Sequence, residues 1–340
     1  MRLLTVVCFT ILIGLGVTGE MAQAKAKYLF KIASLAPEGS IWVTRFDEFT
    51  KEVSEKTGGE VGFRVYPGGV MGDDMAMYRK MRVGQLHGGG FTMTGMASVV
   101  PDFTVMSVPF LFNSYEETDA VRTSLMPDFK KEFEKQGLAL IAMTEVGFIY
   151  TMSTQPITTV EELQQSTSWI PSGDPLASAF LNSLDITPVQ LTIPDVLSSL
   201  QTGLIDTVYN SLYGSIVLQW FTKARYITDA PFAYAYGCFL LDKKKFDKMP
   251  REYQDIIQQS ADKHFAKLLD ATRKSNSDSR KVMTSRGVTF VDAKPDALKR
   301  LKNQHSLIID KVKGNSFSHE IYQKTIKALS SYRASHPVKN

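Results

Sequence analysis

The sequence predicts an α/β protein built from two sets of alternating strands and helices. Apolar residues recur with period two in short runs and with the helical period in the runs between them, over most of the chain. At 44% hydrophobic and 22% charged residues, the 340-residue chain has the composition of a globular protein with apolar material for real cores. The helical pattern from Arg251 to Ser285 is long enough to brace two sheets, although a helix confined to one domain fits the same pattern.

The chain opens with Met1-Arg2, an apolar run from Leu3 to Val17, and the small-residue pattern Met21-Ala22-Gln23-Ala24. This is the grammar of a cleaved export signal, so 1–24 is expected to be removed and the mature chain to start near Lys25. The apolar run is shorter than the roughly 20 residues needed to span a bilayer. Cys8 lies within it, too early for a lipid-attachment cysteine, and Cys238 alone cannot form an internal disulfide. An exported protein with a conventional core is expected. The net charge of +4 is too mild to argue for nucleic acid.

Tyr28 to Ala33 reads as a strand, and Ser40 to Lys56 as an amphipathic helix stopped by Gly58-Gly59. Val61 to Tyr66 is the next strand, closed by Pro67-Gly68-Gly69, and Asp73-Asp74 opens a helix to Gly84 that leads to a strand near Phe91. The alternation argues for a largely parallel sheet. A long helix from Tyr115 to Gln136 precedes the strand Leu138 to Met143, and a second alternating set runs from Gly147 to Thr228. The aromatic run Phe232, Tyr234, Tyr236 and Phe239 is placed to lead the chain back to the first sheet.

Several chemical-looking motifs lack their context. Gly14 to Gly19 matches a dinucleotide fingerprint in spelling, but no strand precedes it and it lies in the signal. His87-Gly88-Gly89-Gly90 resembles an oxyanion loop, yet the chain has no Gly-x-Ser-x-Gly nucleophile elbow, so close backbone packing, or backbone approach to a ligand where side chains would not fit, is the expected role. The five histidines show no metal-ligand pairing, and Asp73 and Asp74 are expected to cap their helix. No catalytic residue, metal or cofactor is assigned. Binding is the expected function, with an exported α/β enzyme as the alternative.

The stretches "YPGGVMGDDMAMYRKMRVGQLHGG", "VPFLFNSYEE", "PITTVEEL", "PVQLTIPDVLSSLQTGLIDTVYNS" and "YGCFLLDKKKFDKMP" together resemble the DctP family, the periplasmic solute-binding proteins of TRAP (tripartite ATP-independent periplasmic) transporters. The resemblance covers nearly the whole mature chain, in order. It implies a two-lobed periplasmic solute-binding protein fold, with 25–146 and about 231–250 in lobe I, 147–230 and about 287–340 in lobe II, and 251–286 as a long helix spanning both. It also implies capture of a small organic solute in the cleft and delivery to the small and large membrane subunits of the transporter, or their fusion. A sensory ligand-binding protein of the same fold is a further alternative.

One departure stands out. Where most of the family ends a strand in an arginine that grips the solute carboxylate, this chain reads Ser168-Trp169-Ile170-Pro171; where a second arginine often follows Gly-Phe, it reads Gly147-Phe148-Ile149-Tyr150. No Arg or Lys occurs between Lys135 and Lys223. Trp169 with Phe148, Tyr150, Tyr209 or Tyr213 is therefore expected to line an aromatic pocket for a neutral, cationic or partly apolar solute, the alternative being that Trp169 packs between lobes and a carboxylate is held by a different arginine or by backbone amides. By alignment, Asn210 is expected to reach the ligand from the second lobe or to cap the following helix. Trp42, Thr92 and Thr94 are expected on the first-lobe wall.

Overall fold

The computed structural model describes residues 26–337, the side chains at 305 and 306 excepted, so the expected signal lies outside the described residues. β1 (Tyr28–Ser34) leads to α1 (Ile41–Lys56), whose N-terminus is capped by the Ser40 hydroxyl accepting from Val43 N. Gly58 and Gly59 end that turn with positive φ, as the spelling suggests. β2 (Val61–Tyr66) and β3 (Gly88–Thr92) flank β1 in parallel, with α2 (Asp74–Arg82) between them in sequence. The two aspartates divide their work: Asp73 caps α2 by accepting from Ala76 N at 2.7 Å, while Asp74 turns inward. In His87-Gly88-Gly89-Gly90, Gly88 and Gly89 are packing residues. A Cβ at Gly88 would lie 2.4 Å from the Leu240 carbonyl oxygen, and one at Gly89 2.8 Å from that of Ala33.

α3 (Tyr115–Lys135) feeds β4 (Leu138–Ser153), a single strand of 16 residues that runs through the break expected before Gly147. Its partner β9 (Ala233–Asp242) is antiparallel to it from Leu138 to Ile149 and also antiparallel to β3. The aromatic run thus returns the chain to the first sheet as expected. The sheet order is β2, β1, β3, β9, β4, which makes it mixed rather than largely parallel: a strand shared by two sheets comes back alongside its neighbour instead of through a crossover helix.

The far end of β4 anchors the second lobe. There follow α4 (Val160–Gln164), with a capping box between Thr159 and Glu162, then β5 (Trp169–Pro171), α5 (Pro175–Asn182), β6 (Val189–Leu191), α6 (Val196–Thr202), β7 (Thr207–Asn210), α7 (Leu212–Val217) and β8 (Tyr226–Thr228). β7 and β8 pair antiparallel with the end of β4, and β5 and β6 form a small parallel pair. After β9, the short α8 (Lys243–Asp247) precedes α9 (Arg251–Ser285). β10 (Thr289–Val291) joins β8, and α10 (Pro295–Val312) and α11 (His319–Ser335) complete the chain.

α9 packs on α1 and β4 and also on α7, so it spans both lobes. Its first half buries Ile257, Ala261, Phe265 and Leu268 with Phe30, Phe49 and Phe239, whereas Met283 near its end joins Trp169, Trp220 and Ile227. α10 packs on α5 and α4, but α11 packs on α3 of the first lobe, where Arg333 pairs with Glu117 and Lys324 with Asp128. The last helix therefore does not lie with the second set. No helix among the described residues is long and apolar enough to cross a membrane.

Candidate ligand-binding cleft

Two cavities of about 190 and 180 Å³ meet between the lobes. Thr92, Val146, Ile193, Asn210 and Tyr236 line both, so they form one seam with a chamber on each side. The larger chamber reaches into the second lobe, between Ile149 and Thr151 of β4, Trp169 of β5, and Leu176 and Phe180 of α5. Phe232 and Phe110 close it from the first-lobe side. Phe110 holds a left-handed backbone at φ 55°, a costly conformation for an aromatic residue, and its amide donates to the Phe232 carbonyl. The smaller chamber lies against Trp42 and Phe46 of α1 and reaches Phe265 on α9.

The charge inventory is one-sided. Among the described residues lining the two chambers there is no Lys, Arg or His, and the charged ones are carboxylates, Asp174 and Glu145. Glu145 is fully buried but paired: Arg273 of α9 donates to it from Nε and Nη2, and the Tyr234 hydroxyl donates at 2.7 Å. Asp174 belongs to no ion pair among the described residues. Its Oδ1 accepts from Ala177 N at 2.9 Å, capping α5. The amides at the start of α5 are thus taken by the protein's own carboxylate. Desolvation pushes the Asp174 carboxyl up to about 6, against the lowering effect of those amides.

At the seam, hydrogen bonds fix which way each polar group points. The Thr92 hydroxyl donates to Asp74 Oδ2 at 2.6 Å, accepts from Gly95 N at 3.0 Å and sits 3.1 Å from the Thr94 hydroxyl. With Asp74 ionised, the Thr92 proton is committed to the carboxylate and Thr94 is the donor in the last contact. Thr94 therefore shows the larger chamber only acceptor lone pairs. Asn210 Oδ1 accepts from Ser211 N at 2.8 Å, which leaves its Nδ2, unpartnered among the described residues, as a donor at the seam.

Asp74 supplies a pH test of this arrangement. Burial pushes its carboxyl up to about 6, with Asp73 nearby adding to the rise and the Thr92 bonds opposing it. Since the folded carboxyl takes up a proton more readily than at its ordinary value of 3.8, this group favours folding most at low pH, and its contribution falls as pH rises from about 4 to 6. Asp74→Asn should flatten that part of the slope, measured as urea midpoints at pH 4.5 and 7. An unchanged slope would remove Asp74 as its source.

The expected site residues divide by where they sit. Trp169, Tyr209, Asn210, Thr92 and Thr94 line the larger chamber and Trp42 the smaller one. Trp169 is also a core residue: its ring meets Trp220 edge-on at 5.1 Å and its Nε1 donates to the Leu191 carbonyl at 3.0 Å. Phe148 and Tyr150 line neither chamber. They lie on the opposite face of β4, Phe148 against Tyr115 and Tyr234, because side chains alternate along a strand and Ile149 and Thr151 take the cavity side. Tyr213 is likewise not in a wall. Its hydroxyl accepts from Ile41 N at 2.9 Å and its ring meets Trp42, a contact between α7 and the start of α1 across the lobes. Phe110, Leu176, Phe180 and Phe232 were not expected; of these only Leu176 carried a local signal, following the Asp-Pro helix start.

Residues 32–315 match the family model for bacterial extracellular solute-binding proteins, family 7 (DctP). The chain belongs to this family. A solute-binding protein of Verminephrobacter eiseniae is 24% identical over 277 residues, 80% of this chain and 81% of that one. Among solved structures, a TRAP periplasmic solute-binding protein of Ochrobactrum anthropi, with its C-terminus bound in the ligand-binding pocket, is similar at a TM-score of 0.78 and 24% identity, covering 91% of this chain and 96% of that one. The sugar acid binding protein DctPAm of Advenella mimigardefordensis, in complex with galactonate, superposes at 0.83 with 18% identity, over 90% of this chain and 99% of that one. The two-lobed architecture and the cleft between its lobes are thus those of a DctP-family solute receptor.

Proposed function

We propose that this receptor works in the periplasm, closes on a small organic solute at the seam of the two chambers, and hands it to the membrane subunits of a TRAP transporter. The observation that carries the reading is the seam itself. Asn210 from the second lobe and Thr92 from the first border the same space, so a solute touching both would favour the closed arrangement. Trp42, Thr94, Tyr209 and Trp169 are the further contacts we assign to it. For the lobes we propose 25–146 with about 231–250 and α11 as the first, and 147–230 with β10 and α10 as the second, α9 joining them. The packing of α11 on α3 supports its transfer to the first lobe.

A thermal-shift panel of the mature chain tests receptor function. A true solute at 100 times its dissociation constant is expected to add about 2.7 kcal/mol, which moves the midpoint by several degrees. A panel spanning acids, sugars, amines and neutral aromatics that moves it for none of them would overturn the reading.

A further inference from the structure

The larger chamber is built for a different charge from the one a sugar acid carries. A carboxylate placed there would meet no cation among the described lining residues, and it would meet a carboxylate already present in Asp174. Burying an ion against a like charge without a counter-ion is strongly unfavourable. The walls add aromatic surface from Trp169, Phe180, Tyr209 and Phe232, whose ring faces attract cations. The Thr94 hydroxyl, held as an acceptor by the bonds through Thr92 to Asp74, complements an N–H donor and repels a carboxylate oxygen. In size, about 190 Å³ exceeds the roughly 150 Å³ of an apolar cavity that holds benzene.

Building on the receptor reading above, we propose that the solute is a small amphipathic amine, its ammonium group beside the Asp174 carboxylate and its apolar body among Leu176, Phe180 and Phe232. Asp174 has a second role in this arrangement. It caps α5 and so removes the amides that would otherwise favour an anion, and it supplies the counter-charge for a cation. The helix start is thereby converted from an anion-favouring to a cation-favouring wall.

Isothermal titration calorimetry with three matched probes tests this: 2-phenylethylamine, 2-phenylethanol and phenylacetate, with galactonate as the fourth. The amine is expected to bind at least tenfold more tightly than the alcohol, and the two acids not to bind at millimolar concentration. Equal or tighter binding of the alcohol, or binding of phenylacetate or galactonate, would overturn the solute class while leaving the receptor standing. Binding of none of the four would also overturn the class, and the thermal-shift panel then decides the receptor reading separately. Asp174→Asn keeps a good helix cap, so the fold is retained. The variant should lose at least tenfold in amine affinity with little change for the alcohol. Unchanged amine affinity would remove Asp174 from the role.

Discussion

Arg273→Ala is expected to lose about 3–5 kcal/mol of stability, the cost of leaving a buried charge without its partner. Arg273 stands on α9 and forks between Glu145, fully buried in β4, and Asp119 on α3 at 2.5 Å. Without the guanidinium, the Glu145 carboxylate keeps, among the described residues, only the Tyr234 hydroxyl as a donor and sits in a wall of the smaller chamber without a counter-charge. Urea unfolding of the variant measures the loss. The double variant Arg273→Met with Glu145→Gln separates causes, because it removes the stranded charge and should recover much of the stability. A loss below about 1 kcal/mol in Arg273→Ala would mean that water or a neighbouring group solvates Glu145 in the cleft.

Trp169→Ala is expected to cost about 3–5 kcal/mol, the range for truncating a large buried aromatic residue. The indole is 2% exposed, and its removal would empty the space against Trp220 and strip the Leu191 carbonyl of its donor. Trp169→Arg, which would install the arginine that the family resemblance leads one to expect at this position, should be worse still. Its guanidinium would enter a core holding Val196, Val208 and Ile227. A urea midpoint for Trp169→Arg close to that of the parent would show that the side chain can swing into the chamber and meet Asp174.

The sequence made the first-lobe wall and Asn210 legible because they sit inside motifs with recognisable spelling and turn chemistry. Trp169 was legible as a departure; it packs in the second-lobe core against Trp220, rather than between the lobes, and also borders the larger chamber. Phe148 and Tyr150 were misplaced for a definite reason. β4 is flanked by protein on both faces over its middle, so its apolar pattern carries no mark of which parity faces the cleft. Phe110, Phe180 and Phe232 come from three distant segments that meet only through tertiary packing, and no local rule joins them. The single strand from Leu138 to Ser153 was hidden by Gly147, which read as a boundary but sits at φ 114° beside a register shift, where the strand bends and continues.

That strand has a consequence for how the molecule comes apart. β4 and β9 exchange hydrogen bonds from Leu138 to Ile149, and the same β4 goes on to hold β7 and β8. Neither half can lose its sheet without stripping a partner from the other, and α9 ties the two cores along a second line. The two halves of this receptor are expected to melt as one cooperative unit, with the slowest-exchanging amides in the ribbon of β4 and β9 that joins them.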